Sequence, residues 1–143
     1  MVAKKTAPED LSLSDLQAEA EDLRKRIRRF ADSLKRFFVR KEEIIDLMTV
    51  AAIAQEPLLL VGPPGTAKSD LVLKFKDAMG LDEGDYFEYM LTRFTEPSEI
   101  IGAIDIKELR DGRYIRRKDG KLPTARLVFL DEIFKSNSAI LNI

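Results

Sequence analysis

The chain has 143 residues, 45% hydrophobic and 34% charged, enough for one globular domain with a core of its own. Its formal net charge is −1, so the chain as a whole is not built as an electrostatic binder of nucleic acid. It contains neither cysteine nor histidine, which excludes disulfides, thiol nucleophiles, Ser-His triads and zinc sites. Met1 to Asp10 holds no apolar signal core and no run is long enough to span a bilayer, so the expected compartment is cytoplasmic, without membrane contact.

Met1 to Asp10 is polar, and residues 1–13 are expected to be disordered. Ser14, with Gln17 three residues on, offers a capping box, and an amphipathic helix is expected over 14–38. Leu16, Ala20, Leu23, Ile27, Phe30, Leu34 and Phe37 recur at alternating steps of four and three, a heptad seam. Acids crowd the start of this helix and bases its end, which suits the helix dipole. Two readings of the seam stand: a coiled-coil contact with another protein, or a helix packed on its own domain. The second is the simpler for so short a seam. A further helix over about 41–54 is apolar on most sides, through Ile44, Ile45, Leu47, Met48, Val50 and Ile53, and is expected to be buried.

Leu58, Leu59, Leu60 and Val61 form an uninterrupted apolar run, the pattern of a strand covered on both faces. It leads into Gly62, Pro63, Pro64, Gly65, Thr66, Ala67, Lys68 and Ser69. The glycines permit a tight turn and close approach to a ligand, and amides after Pro64 can point inward to cradle a polyphosphate. Lys68 would reach the β- and γ-phosphates and the Ser69 hydroxyl would bind Mg²⁺, as in a P-loop (Walker A). Ala67 stands where that pattern has its second glycine; it is acceptable there if its dihedrals are helical and unfavourable if φ is positive.

A helix is expected from Ser69 to Met79, with Leu71, Val72, Phe75 and Met79 inward and Gly80 as its cap. Tyr86 to Leu91 reads as a core strand, and a short helix is expected after the Glu96-Pro97 turn. Ala103 to Leu109 and Arg113 to Arg117 read as two short strands, with turns at Asp111-Gly112 and Asp119-Gly120. Arg113, Tyr114, Arg116, Arg117 and Lys118 form a basic cluster. Nucleic acid is one reading of it; a solvated hairpin or a contact between subunits fits the near-neutral chain better. Leu127, Val128, Phe129 and Leu130 form a last apolar strand, followed directly by Asp131 and Glu132. A buried strand ending in two acids is the Walker B pattern: Asp131 would hold Mg²⁺ and Glu132 would orient and deprotonate an attacking water. A helix is expected to begin at Asn137 to Ile140.

G-P-P-G-T-A-K-S, T-R-F-T-E-P-S-E-I-I-G and F-L-D-E-I-F-K-S-N-S-A-I-L-N together resemble the MoxR family of AAA+ ATPases, in particular its RavA-like branch, over about residues 39–143. The resemblance implies an α/β fold, a three-layer α/β/α P-loop NTPase core on a five-stranded parallel sheet in order 5-1-4-3-2, here incomplete at the carboxyl end and preceded by the amino-terminal helix. It implies a family insertion near 93–125 and an adenine contact near Val39 and Arg40. It also implies ATP and Mg²⁺ as ligands, a ring, usually a hexamer, a client protein that is remodelled, and a partner carrying a von Willebrand factor A (vWA) domain. The alternative expectation is a nucleotide-binding or interaction module without turnover.

Overall fold

The structure is a computed structural model that describes residues 12–63 and 65–142. The expectation for the extreme amino terminus and the Pro64 position of the loop fall outside the described residues. The chain divides into two compact units at Val61/Gly62.

The first unit holds helices α1 (Leu13–Lys35) and α2 (Glu42–Ala54). The capping box of α1 is made by Ser12 and Asp15, two residues before the expected Ser14 and Gln17: each side chain accepts from the other's backbone N–H at 3.2 Å. Asp15 carries a full negative charge, and a charged acceptor outcompetes an amide for an exposed N–H. Ala31 and Leu34 of α1 are buried against α2, and Lys35 reaches Asp46 at 2.6 Å. The amino-terminal part of the seam is exposed, as is Phe37, so packing on α2 uses only its last turns. The expected burial of α2 is corrected likewise. Ile45, Met48 and Thr49 are buried, whereas Leu47, Val50 and Ile53 are exposed, since one partner helix covers one face. The helix ends at Gln55, which turns left-handed and donates its N–H to Ala51 O.

Leu58 to Val61 forms no ladder with any described residue, and Leu58, Leu59 and Val61 are exposed. The expected buried strand is therefore not present. An apolar run becomes a strand only where a neighbour takes up its N–H and C=O groups.

The second unit contains α3 (Lys68–Ala78), β1 (Tyr86–Met90), α4 (Pro97–Ile101), α5 (Ile106–Arg110), β2 (Leu127–Asp131) and α6 (Ser138–Leu141). Strands β1 and β2 pair in parallel, with Phe87 opposite Val128, Tyr89 opposite Leu130 and Met90 opposite Asp131. This is an α/β arrangement with a small parallel sheet of two strands among the described residues. Helix α3 packs against β2, with Leu71, Val72 and Phe75 buried. Met79, expected inward, is exposed, because the chain turns at Gly80 (φ +67°) just beyond the helix end. Lys76 is buried instead. Its stem lies within the packing and its ammonium emerges to meet Glu83 at 2.6 Å, 5.3 Å from the centre of the Tyr86 ring. Phe87, Leu91, Ile100 and Ile140 form one core cluster, with Tyr89, Leu130 and Ile133 packed against it.

The region expected as a hairpin differs from that expectation. Ile106–Arg110 is helical because the Asp105 carboxylate caps it, accepting from the N–H groups of Lys107 and Glu108 at 2.9 and 3.4 Å. What remains of the ladder is a single antiparallel bridge, Ile104 to Arg116. Both expected turns are present, with Gly112 and Gly120 at positive φ. At the base of this region Gly102 has φ +92°, and a Cβ there would stand 2.0 Å from the Arg117 carbonyl oxygen, so only glycine fits.

Candidate functional site

Lys68 opens α3, so its backbone N–H and those of Ser69 and Asp70 lack intrahelical partners. The Lys68 ammonium donates to the carbonyls of Gly62 (3.1 Å) and Pro63 (3.0 Å) and lies 3.4 Å from Thr66 Oγ1. Thr66 in turn donates to Pro63 O at 3.0 Å, and Gly65 has φ +78°. Oxygens of the loop thus gather on the lysine head group, beside the start of α3. Ser69 is half-buried in the first turn of the helix.

Ala67 does not have the helical dihedrals that would make alanine costless there. It sits at φ 58°, ψ 30°, the left-handed region. Its carbonyl nevertheless accepts from Leu71 N–H at 3.0 Å, so it serves as the residue from which the helix starts.

At the carboxyl end of β2, the ladder continues past the strand: Leu91 N–H donates to Asp131 O at 2.9 Å. Asp131 Oδ1 accepts the Glu132 N–H at 2.8 Å, and the carboxylate is half-buried. Glu132 is exposed, left-handed at φ 57°, and 3.1 Å from Lys135. Four described non-glycine residues have positive φ: Arg40, Gln55, Ala67 and Glu132. Gln55 closes a helix and Arg40 precedes one, whereas Ala67 and Glu132 fall within the two motifs. Strain of this kind concentrates where a surrounding structure holds functional groups in place.

Three features of the site were not singled out from the sequence. Asn137, expected only as a helix start, does cap α6 by accepting from Ile140 N–H at 3.1 Å. Its amide also donates to Arg93 O (3.1 Å) and Thr95 O (3.0 Å). Lys135 forms an ion pair with Glu132; three-residue spacing was the available signal. Tyr89 donates to Glu99, whose carboxyl is held below its usual range by the Glu96 N–H first and by Tyr89 second.

The basic cluster is tied to its own surroundings. Arg113 meets Glu108 at 2.6 Å and Arg117 meets Asp105 at 2.9 Å. Arg116 donates to Gly102 O and Tyr114 Oη. Val39 and Arg40 belong to the first unit and are both exposed.

Among the described residues no group of three or more acids is placed to hold a metal ion. The donors present, one hydroxyl on α3 and one carboxylate at the end of β2, are hard oxygens that suit Mg²⁺. That ion characteristically takes one or two protein ligands and completes its shell with phosphate oxygens and water.

A glycine loop gathered on a lysine at a helix start and a parallel strand ending in two acids thus lie in one α/β unit. Residues 25–143 match the MoxR domain of the MoxR–vWA–β-propeller ternary systems. Two uncharacterized proteins of Methanocaldococcus jannaschii, MJ0079 and MJ0812, are each 39% identical to this chain, over 82% and 81% of its length. The structural protein ORF618 of Acidianus two-tailed virus is 41% identical over 59% of it. These matches cover 30%, 31% and 14% of the respective proteins, so the chain corresponds to about a third or less of each. The chain belongs to the MoxR family of AAA+ ATPases.

Proposed function

We propose that this chain carries the phosphate-binding and water-activating parts of a Mg²⁺-dependent MoxR-type ATPase that remodels client proteins. The observation that carries the reading is the Lys68 ammonium, gathered by the Gly62 and Pro63 carbonyls at the head of α3. A lysine paired with neutral carbonyls has its full charge to offer an incoming phosphate. Lys68 would move from these carbonyls onto the β- and γ-phosphate oxygens, and the helix-start amides would bind the same charge. Mg²⁺, when bound, would neutralise charge on the phosphate oxygens, and Ser69 and Asp131 would hold it. Glu132 would orient the water and take its proton. In the whole protein this reading includes a complete three-layer AAA+ core, a ring, usually of six, and a vWA-domain partner. The partner follows from the systems whose MoxR domain the chain matches.

A second reading, nucleotide binding without turnover, is favoured by the ion pair of Glu132 with Lys135, which occupies the proposed base. Titration with a fluorescent ATP analogue in Mg²⁺ tests what both share. Lys68→Ala removes a charge-assisted contact and should weaken binding by about 1.5–3 kcal/mol, roughly tenfold to a hundredfold, with helix content unchanged. Unaltered affinity would overturn the site.

A further inference from the structure

The first turns of α1 present an apolar seam that α2 leaves uncovered. Leu13 is 80% exposed, Leu16 47% and Leu23 46%, whereas the buried positions Ala31 and Leu34 come only in the last turns. The seam continues from Leu13 through Leu16, Ala20 and Leu23, all exposed, to Ile27 and Phe30, which are half-buried, in alternating steps of three and four. These six positions are symmetric about a point between Glu21 and Asp22. Turned end for end, the seam lies on itself, with Leu13 opposite Phe30, Leu16 opposite Ile27 and Ala20 opposite Leu23.

The charges are arranged to match. Residues 13–21 hold three acids and no base, and residues 22–30 hold five bases and one acid. A parallel pair would set acid against acid and base against base. An antiparallel pair sets each acidic half on the other's basic half. Flanking the seam, Glu19 of one copy falls beside Arg26 of the other, twice over by symmetry, and Glu21 and Asp22 at the centre occupy outer positions.

We infer that α1 is a self-association element: residues 13–30 pair antiparallel with the same residues of a second copy of this chain. The pairing is independent of the nucleotide site and joins chains by a two-fold axis. Its length is about 27 Å at the rise of an α-helix. Ala31 and Leu34, the residues of α1 buried in the first unit, lie beyond this stretch.

The chain has no cysteine, so single cysteines report unambiguously. In the full chain, without nucleotide, Ala20→Cys and Leu13→Cys are treated with a short bismaleimide. The antiparallel register brings residue 20 within about 5 Å along the axis of its own copy and separates the two residues 13 by about 25 Å. Ala20→Cys should crosslink to a dimer and Leu13→Cys should not. Adding Glu19→Arg should lower the crosslinked fraction about tenfold, as two flanking attractions become repulsions, and adding Arg26→Glu to that variant should restore it. Leu13, Glu19, Ala20 and Arg26 are all exposed, so circular dichroism should show helix content unchanged. Equal crosslinking at residues 13 and 20 would overturn the antiparallel register. Indifference to Glu19→Arg, or no crosslink at residue 20 at any concentration, would overturn the self-association and leave the face to a different protein.

Discussion

The side-chain amide of Asn137 donates to the carbonyl of Thr95 at 3.0 Å, joining the segment after the acidic end of β2 to the turn after β1. The same amide reaches Arg93 O, and the side-chain oxygen caps α6. Thr95 is buried, and its hydroxyl accepts from Thr92 N–H at 2.9 Å, so the turn is held from both sides.

Asn137→Ala removes a cap and two hydrogen bonds and should cost about 1–3 kcal/mol in denaturant unfolding. Asn137→Asp keeps the capping oxygen but sets a carboxylate against two carbonyls. It should be no more stable than the alanine variant. An aspartate variant as stable as the parent would show that only the cap matters.

Of the two cases the sequence left open at Ala67, the structure shows positive φ, which sets the sign expected for Ala67→Gly. Left-handed alanine carries a penalty of about 1–2 kcal/mol, against which the glycine chain loses about 0.4–1 kcal/mol to its greater unfolded freedom. The variant should unfold at equal or higher denaturant concentration and still bind nucleotide. A loss of about 1 kcal/mol would instead indicate helical dihedrals at this position.

Asp131 and Glu132 should separate by substitution in the whole protein. Glu132→Gln should retain ATP and Mg²⁺ but stop phosphate release, since an amide cannot take a proton. Asp131→Asn should weaken the Mg²⁺ dependence of binding. Lys135→Ala, which frees the Glu132 carboxylate, should not lower turnover. Normal hydrolysis by Glu132→Gln would remove Glu132 from the role of base.

Much of the second unit was legible in the sequence because local patterns and tertiary demands agree there. Apolar runs bounded by turn residues became β1 and β2, and Pro97 after Glu96 opened α4. The misreadings have local causes. Asp105 captured two amides that a strand would have given to a neighbour, and Ile106–Arg110 became a helix. Leu58 to Val61 has a strand's composition, but a ladder depends on a partner that no local pattern supplies. The positive φ of Ala67 and Glu132 left no mark in residue type, because neither is glycine or asparagine. The roles assigned to Lys68, Ser69, Asp131 and Glu132 rest on motif chemistry that their positions make testable.

Asp105 provides a pH dependence. Hydrogen bonding to Arg117 holds its carboxyl below the usual carboxylate range, helped by the N–H groups of Lys107 and Glu108. A carboxyl whose folded pKa is depressed contributes stability above its unfolded pKa, about 4, and loses it as pH falls through the lower folded value. Stability should therefore fall below about pH 4. Asp105→Asn, which can still cap α5, should flatten that acid limb in part, with Glu99 supplying some of the rest. An unchanged limb would show that the Arg117 contact contributes nothing in solution.

Lys76 makes the folding of the second unit chemically visible. Its amine hydrogen-bonds Glu83, which raises its pKa above that of an ordinary lysine, and its side chain is buried. Acylating reagents attack only the neutral amine. Among the lysines of this chain, Lys76 should thus be modified late while the fold is intact and at an ordinary rate once it opens. Mass-spectrometric footprinting at that one residue can then follow opening of the α3 packing without a fluorophore or a mutation.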